Sequence, residues 1–236
     1  MATILNINTS TAVCSVALTS DGMILCHRED FTARSHAALL SGFIKDCLDH
    51  LRDHEMKLDA VAVTLGPGSY TGLRIGLSEA KGLAYALDIP LIGLSTLEVM
   101  ATGVMFNHPE TLPEDPEEPV YFAPMIDARR MEVFTGVYDM ALTPVMEPQP
   151  LILDATSYAD ILERGRVVFF GDGSAKSKEV INHPNAVWID DINPLASDML
   201  ALSERAVVRG DFADTAYTVP LYLKEFQATK PKRPFN

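Results

Sequence analysis

Thr64-Leu65-Gly66-Pro67-Gly68-Ser69-Tyr70-Thr71-Gly72-Leu73-Arg74-Ile75-Gly76 is the stretch around which the rest of the chain is read. Just before it, Ala60-Val61-Ala62-Val63 is short, apolar and partly β-branched, which predicts a buried strand. After it, Leu73 to Leu87 predicts a helix. Gly66, Pro67, Gly68 and Ser69 lie between the two. Glycine admits positive φ and close backbone approach, and proline presets a turn. A strand, a glycine turn and a helix N-terminus together aim backbone N–H groups at an anion. No Gly-Lys-Ser/Thr follows, so the loop is not a Walker A sequence. The plainer reading is a tight β–α turn without a ligand, and the loop alone does not choose between them.

In the helix, Gly72, Gly76, Ala80 and Ala84 recur every fourth residue and so share one face. An interior glycine costs ~1 kcal/mol relative to alanine. A stripe carrying that cost predicts a second helix packed closely against it. Arg74, Ser78, Lys81 and Tyr85 mark a more polar face.

Outward from this unit, Thr3 to Asn8, Cys14 to Thr19 and Met23 to Glu29 read as strands. They are joined by a Thr-Ser-Thr turn at Thr9–Thr11 and by Asp21-Gly22, a type I′ hairpin signal. A helix follows, roughly Ser35 to Arg52, with Ser35 as the expected N-cap. The Ala60 strand, the glycine turn and its helix come next, then a Leu91–Leu94 strand and a helix from about Thr96. This βββαβαβα order is the lobe plan of the actin/Hsp70/sugar-kinase superfamily. Residues 103–119 interleave Pro109, Pro113, Pro116 and Pro119 with five acids, which predicts a mobile linker. The lobe boundary is placed near it, giving lobes 1–108 and 109–236. In the second half, Val120–Asp127 and Glu132–Tyr138 read as strands, and Thr156–Glu163 as a helix. Val167–Phe170 is a strand ending in a second glycine turn, Gly171-Asp172-Gly173-Ser174. Val187–Ile189 is a further strand, and Leu195–Arg209 a helix closed by Gly210.

The chain has 236 residues, 47% of them hydrophobic and 22% charged, so it can bury a core. No apolar run reaches the ~20 residues that span a bilayer, and no basic leader precedes the first strand. A cytoplasmic protein without a membrane partner is expected. Cys14, Cys26 and Cys47 make no CxxC pair or metal cluster. A two-residue turn at Asp21-Gly22 places Cys26 opposite Ala17, with Cys14 on the other face, so a Cys14–Cys26 bridge is not expected. The net charge of −13 repels a polyanion, which argues against this chain gripping nucleic acid alone. Lys224, Lys230, Lys232 and Arg233 gather at the C-terminus and read as a solvated tail.

The glycine loop and its helix, with Ala80-Lys81-Gly82-Leu83-Ala84, closely resemble the bacterial TsaB (YeaZ) family. Agreement continues in Ile4-Leu5-Asn6-Ile7-Asn8-Thr9-Ser10, Cys14–Leu18, Pro90–Leu97, Ile126–Val133 and Val219–Lys224. The resemblance implies the two-lobed α/β actin-like fold, with a mixed sheet and flanking helices in each lobe. It also implies a place in tRNA threonylcarbamoyladenosine synthesis. The expected role is a scaffold or activating subunit that pairs with a catalytic homologue, TsaD, and is joined by a small P-loop ATPase, TsaE. tRNA is then met through the complex, and ATP or ADP, if used, at the complex.

Superfamily ATPases hold magnesium through a carboxylate where this chain has Asn8, and a neutral amide is a poor ligand for a hard cation. Thr9, Ser10, Gly66, Gly68 and Ser69 could still cradle a phosphate, which makes Asn8 through Ser10 and this loop a candidate vestigial cleft. The alternative function is an autonomous ATPase or small-molecule kinase. A protease is a weaker alternative, since no Ser/His/Asp or Cys/His spacing favours one. His50 and His54 have the spacing of the His-x-x-x-His metal motif expected of the catalytic homologue, but His54 lies beyond the apolar pattern, beside Asp53 and Glu55, and no metal site is expected there. On the Ser35–Arg52 helix, Leu40, Ile44, Leu48 and Leu51 form a core stripe. Leu39, Phe43 and Cys47 form a second one beside it. The resemblance implies that this helix and the small-residue helix form the pairing surface: His36, Leu39, Leu40, Phe43, Cys47, Gly72, Gly76, Ala80 and Ala84. A homodimer through the same face is the other outcome.

Overall fold

The computed structural model describes residues 2–32, 36–115 and 117–224. Two five-stranded sheets form the two lobes. In the first, β1 (Thr3–Asn8) pairs antiparallel with β2 (Cys14–Ser20), which pairs antiparallel with β3 (Met23–Asp30). On its other side β1 pairs parallel with β4 (Ala60–Gly66), which pairs parallel with β5 (Leu91–Ser95). The order is β3-β2-β1-β4-β5. The second sheet repeats it. β6 (Val120–Asp127), β7 (Glu132–Tyr138) and β8 (Pro144–Ile152) form the antiparallel half. β9 (Arg166–Phe170) and β10 (Ala186–Ile189) add in parallel on the far side of β6. Topology thus supplies the duplication that sequence self-similarity is too weak to reveal.

Helices α1 (His36–Asp53) and α2 (Tyr70–Leu87) cover one face of the first sheet. Leu40, Ile44, Cys47, Leu77 and Ala80 pack there against Leu5, Ile7, Val16, Leu18 and Val61. Helix α3 (Thr96–Asn107) is apolar all round and buried between the lobes. Its Val99 joins the back of the first sheet, and its Leu97 and Met100 join Phe122, Tyr138 and Phe170 of the second. Among the described residues the second lobe carries α4 (Ala159–Leu162) and α5 (Ser174–Ser177) as α-helices of its own. The chain then returns: α6 (Leu200–Arg209) lays Leu202 and Ala206 against Ile4, Ile92 and Leu94 of the first lobe. A division at 108/109 into consecutive lobes does not capture that return.

Several expectations change. Residues 103–107 belong to α3, with Gly103 and Val104 buried, so the proline-acid segment begins only afterwards, in a 3₁₀ turn at Pro109–Thr111. Strand β8 has no counterpart in the sequence reading, because Pro144, Pro148 and Pro150 interrupt it; it is an edge strand, where a missing N–H costs no ladder bond on the open side. The expected Thr156–Glu163 helix shrinks to α4. The glycine-loop helix starts earlier than Leu73, at Tyr70, where the Ser69 hydroxyl caps Gly72 N–H. A β-bulge between Leu18 and Thr19 shifts the first hairpin, so Cys26 pairs with Leu18 instead of Ala17. Cys14, Leu18 and Cys26 therefore share the face under α1. Ser35, the expected cap of α1, and the basic cluster at Lys230, Lys232 and Arg233 lie outside the described residues.

Candidate functional site

The turn after β1 and the glycine loop after β4 meet at the sheet's C-terminal edge, as expected of adjacent parallel strands. Asn8, Thr9 and Ser10 are fully buried there. Asn8 Oδ1 accepts from the hydroxyls of Ser10 (2.7 Å) and Thr64 (2.8 Å), and its Nδ2 donates to Pro194 O at 2.7 Å. Thr9 Oγ1 donates to Gly72 O at 2.7 Å. Ser69 N–H donates to Ser10 O at 2.6 Å. A Cβ on Gly68 would overlap that same Ser10 carbonyl. The two turns are thus bonded directly to each other, and side chains that could cradle a phosphate are bonded within the chain. Thr11 Oγ1 is the exception, buried without a partner.

The small-residue stripe has the same explanation. A Cβ on Gly72 would overlap Thr9 O, and one on Gly76 would overlap Thr9 Oγ1. Ala80 and Ala84 are 0% and 1% exposed in the core under the helix. The close neighbour of Gly72, Gly76, Ala80 and Ala84 is therefore this chain's own β1 turn and sheet, not a second helix. Leu40 and Cys47 are likewise buried against the sheet. These six residues cannot present a surface to a partner. His36, Leu39 and Phe43 are half-buried, and the His36 ring lies 3.3 Å from Val13 O.

The outward face of α1 and α2 is built of other residues. Ala37, Ala38, Ser41 and Gly42 on α1, and Ser78 and Gly82 on α2, are exposed. Ser41 Oγ donates to Glu79 Oε1 at 3.0 Å, which ties the two helices together. Nothing lies within 4 Å of a Cβ built on Gly42 or Gly82. No intrachain contact requires either mid-helix glycine, so the helix cost each carries has no return inside the molecule.

Between the lobes lies a cavity of about 690 Å³, lined by Gly68, Tyr70, Asp127, Arg129, Tyr222 and Lys224 among others. The second lobe contributes the β6–β7 turn. There Asp127 Oδ1 accepts from Lys176 Nζ at 2.7 Å and from Arg129 N–H at 2.5 Å. Burial pushes the Asp127 carboxyl up, and Lys176 and the Arg129 N–H more than offset it, so it sits below the usual carboxylate range. Asp172, more deeply buried, is raised by desolvation despite accepting the Asp127 N–H at 2.8 Å. The C-terminal segment straps the lobes together. Leu221 N–H donates to Leu65 O at 2.7 Å, and Leu221 O would lie 2.6 Å from a Cβ on Gly66, whose φ is +126°. Lys224 reaches Glu132 Oε2 at 2.6 Å. Tyr222 stacks on Tyr70 (5.1 Å), and Arg74 covers the Tyr70 ring at 4.0 Å while donating to the Tyr222 hydroxyl. Sequence reasoning gives no role to Asp127, Lys176 or this strap, because Lys176 lies 49 residues from Asp127 and the strap meets Leu65 and Glu132, farther still along the chain.

Among the described residues no group of three or more His, Cys, Asp or Glu could hold a metal ion. His50 and His54 stack with ring centroids 4.2 Å apart. No helix among the described residues is long and apolar enough to cross a membrane.

The family model described as TsaD, tRNA N6-adenosine threonylcarbamoyltransferase, matches residues 30–149. The tRNA threonylcarbamoyladenosine biosynthesis protein TsaB of Escherichia coli K12 is 30% identical over 233 residues, which are 96% of either chain. The TsaB of Bacillus subtilis 168 is 30% identical over 182 residues, 76% of this chain and 75% of that one. Among solved structures, YeaZ from Pseudomonas aeruginosa superposes with a TM-score of 0.75 at 27% identity, covering 94% of this chain and all of that one. This likeness, together with the two mixed sheets, establishes the two-lobed actin-like α/β fold. The chain belongs to the TsaB family of tRNA threonylcarbamoyladenosine biosynthesis proteins.

Proposed function

We propose that this chain acts as a partner subunit in forming N6-threonylcarbamoyladenosine at position 37 of tRNAs reading ANN codons, and not as the transferase. It pairs with a TsaD-type homologue that carries the metal and nucleotide, and a TsaE-type ATPase joins the pair. The observation that carries this reading is the direct bonding of the two phosphate-side turns. With Asn8 in place of a carboxylate, and its amide oxygen and nitrogen both hydrogen-bonded within the chain, the β1 turn offers magnesium no charged ligand. The charge of −13 likewise supports leaving tRNA contact to the partner.

The pairing face we assign is the outward side of α1 and α2, centred on Ala38, Ser41, Gly42, Ser78 and Gly82, with Leu39 and Phe43 at its edge. Small residues let another helix backbone approach closely, and glycines without an internal reason are explained by such a neighbour. Without its partner, two copies meet through the same face. ATP or ADP enters where the partner completes a site.

A calorimetric titration of the isolated chain with ATP and magnesium tests the catalytic half of this reading. No saturable heat is expected. Tight, magnesium-dependent binding would overturn it in favour of an autonomous ATPase or kinase.

A further inference from the structure

The β-bulge in the first hairpin changes the surroundings of two cysteines. An unbroken hairpin would pair Cys26 with Ala17 and face it away from α1. The extra residue, Leu25, turns Cys26 onto the face that α1 covers. There its Sγ lies 3.7 Å from the Cys47 Sγ. No disulfide joins them; both are free thiols. They sit on different elements, an edge strand and a helix, separated by 21 residues.

The two thiols differ in a way that suits sequential chemistry. Cys26 is part-exposed at the open edge of the sheet, while Cys47 is fully buried. The Arg28 guanidinium lies 3.8 Å from Cys26 Sγ, and Arg28 is held by Asp46 at 2.9 Å, one residue before Cys47. Burial pushes the Cys47 thiol up to about 12, so it rests protonated while the part-exposed Cys26 is the thiol a dissolved reagent meets first. Cys14 is a third thiol on the same face, but its strand partner is Asp30, four positions along the hairpin from Cys26.

We infer that Cys26 and Cys47 form a modification site: a thiol pair that a small disulfide oxidises reversibly to an intramolecular disulfide, tethering α1 to β3. The Cys26 thiolate attacks one sulfur of the small disulfide, forming a mixed disulfide and releasing one thiolate. The Cys47 sulfur then attacks Cys26 Sγ. The protein S–S bond forms, the mixed bond breaks, and the Cys47 proton leaves with the second small thiol. The dithiol loses two electrons, and the small disulfide gains them as two thiols. In a reducing compartment the pair rests as the dithiol, and a small thiol reverses the sequence.

The test treats the folded full-length chain with glutathione disulfide, blocks remaining thiols with an alkylating agent in denaturant, and maps the peptides by mass spectrometry. The expected product is a Cys26–Cys47 linked peptide with Cys14 alkylated, restored to three alkylated cysteines by a small thiol. Cys47→Ala is expected to stop at a glutathione adduct on Cys26, and Cys26→Ser to take up no glutathione at Cys47. A wild-type chain that stops at the Cys26 adduct, that links Cys14 instead, or that links only between chains overturns the inference. The wild-type map decides it even where a variant fails to fold.

Discussion

The two lobes share one sheet plan and differ in the helix that each glycine turn leads into. In the first lobe, Gly66–Ser69 opens the 18-residue helix α2. In the second, Gly171–Gly173 opens the four residues of α5. The first lobe has a broad two-helix layer with an exposed outer side, and among the described residues the second lobe has no such layer. The hairpin turns differ in the opposite sense. Thr9 and Ser10 are buried and bonded inward, whereas Arg129 and Arg130 are exposed at positive φ, and Arg129 lines the cavity. The duplicated plan fixes where the two turns meet. Whether a ligand enters between them depends on a few side chains.

If the glycine turns are equivalent packing devices, the largest effects come from removing their glycines. A Cβ on Gly68 overlaps Ser10 O, and one on Gly171 overlaps Met125 O, so each glycine turn presses on the backbone of its own lobe's first strand or the turn after it. Gly68→Ala and Gly171→Ala are each expected to cost about 3 kcal/mol or more in urea unfolding, because neither neighbour is a flexible side-chain end. Near-wild-type stability in one but not the other would break the equivalence.

The seam between returning chain and α3 gives a smaller effect with a defined pH dependence. Asp198 lies beside Gly103 and accepts from Asn107 Nδ2 (3.2 Å) and Leu195 N–H (3.3 Å). Burial raises its carboxyl to about 6. A raised carboxylate pKa means the folded chain binds the proton more tightly than the unfolded one. Asp198 therefore favours folding most at low pH, and that contribution is lost as pH rises from about 4 to about 6. Asp198→Asn removes this loss. Its stability relative to wild type should climb across that window by up to ~3 kcal/mol. A difference that is flat with pH would refute the assignment.

The smallest effect is expected at the strap. Lys224→Ala removes a part-exposed ion pair to Glu132. It should change stability by less than ~1 kcal/mol, the more weakly the higher the salt. A large loss would mean that the strap, and not α3, holds the lobes in register.

The first lobe is legible in the sequence because its strands are apolar runs closed by punctuating turns, and Ala60–Gly66 with Ser69 marks the central β–α unit. That Asn8 lacks a carboxylate is plain from its identity, but its bonds to Thr64 and Pro194 span 56 and 186 residues, beyond any local pattern. The stripe at Gly72, Gly76, Ala80 and Ala84 does signal close approach. Periodicity carries no information on whether the approaching backbone belongs to the same chain, and here it is the Thr9 turn. Prolines hide β8 because interior and edge strands obey different rules. The bulge at Leu25 has no glycine to announce it, so the Cys26 register could not be read from the hairpin turn.

The central claim is that the first lobe works through the outer face of α1 and α2 and not through its cleft. Gly82→Arg tests it most directly. Gly82 is exposed with open space around its Cβ position, and replacing an exposed helix glycine should hold or raise monomer stability, by up to ~1 kcal/mol. Phe43→Glu is a poorer probe, because Phe43 is half-buried against the core and the change also costs folding stability. The measurement is co-elution of the Gly82→Arg chain with the proposed TsaD-type partner on a sizing column, alongside its thermal midpoint. The account predicts an unchanged or higher midpoint with co-elution lost. An unchanged midpoint with full co-elution would contradict it and move the partner to another face.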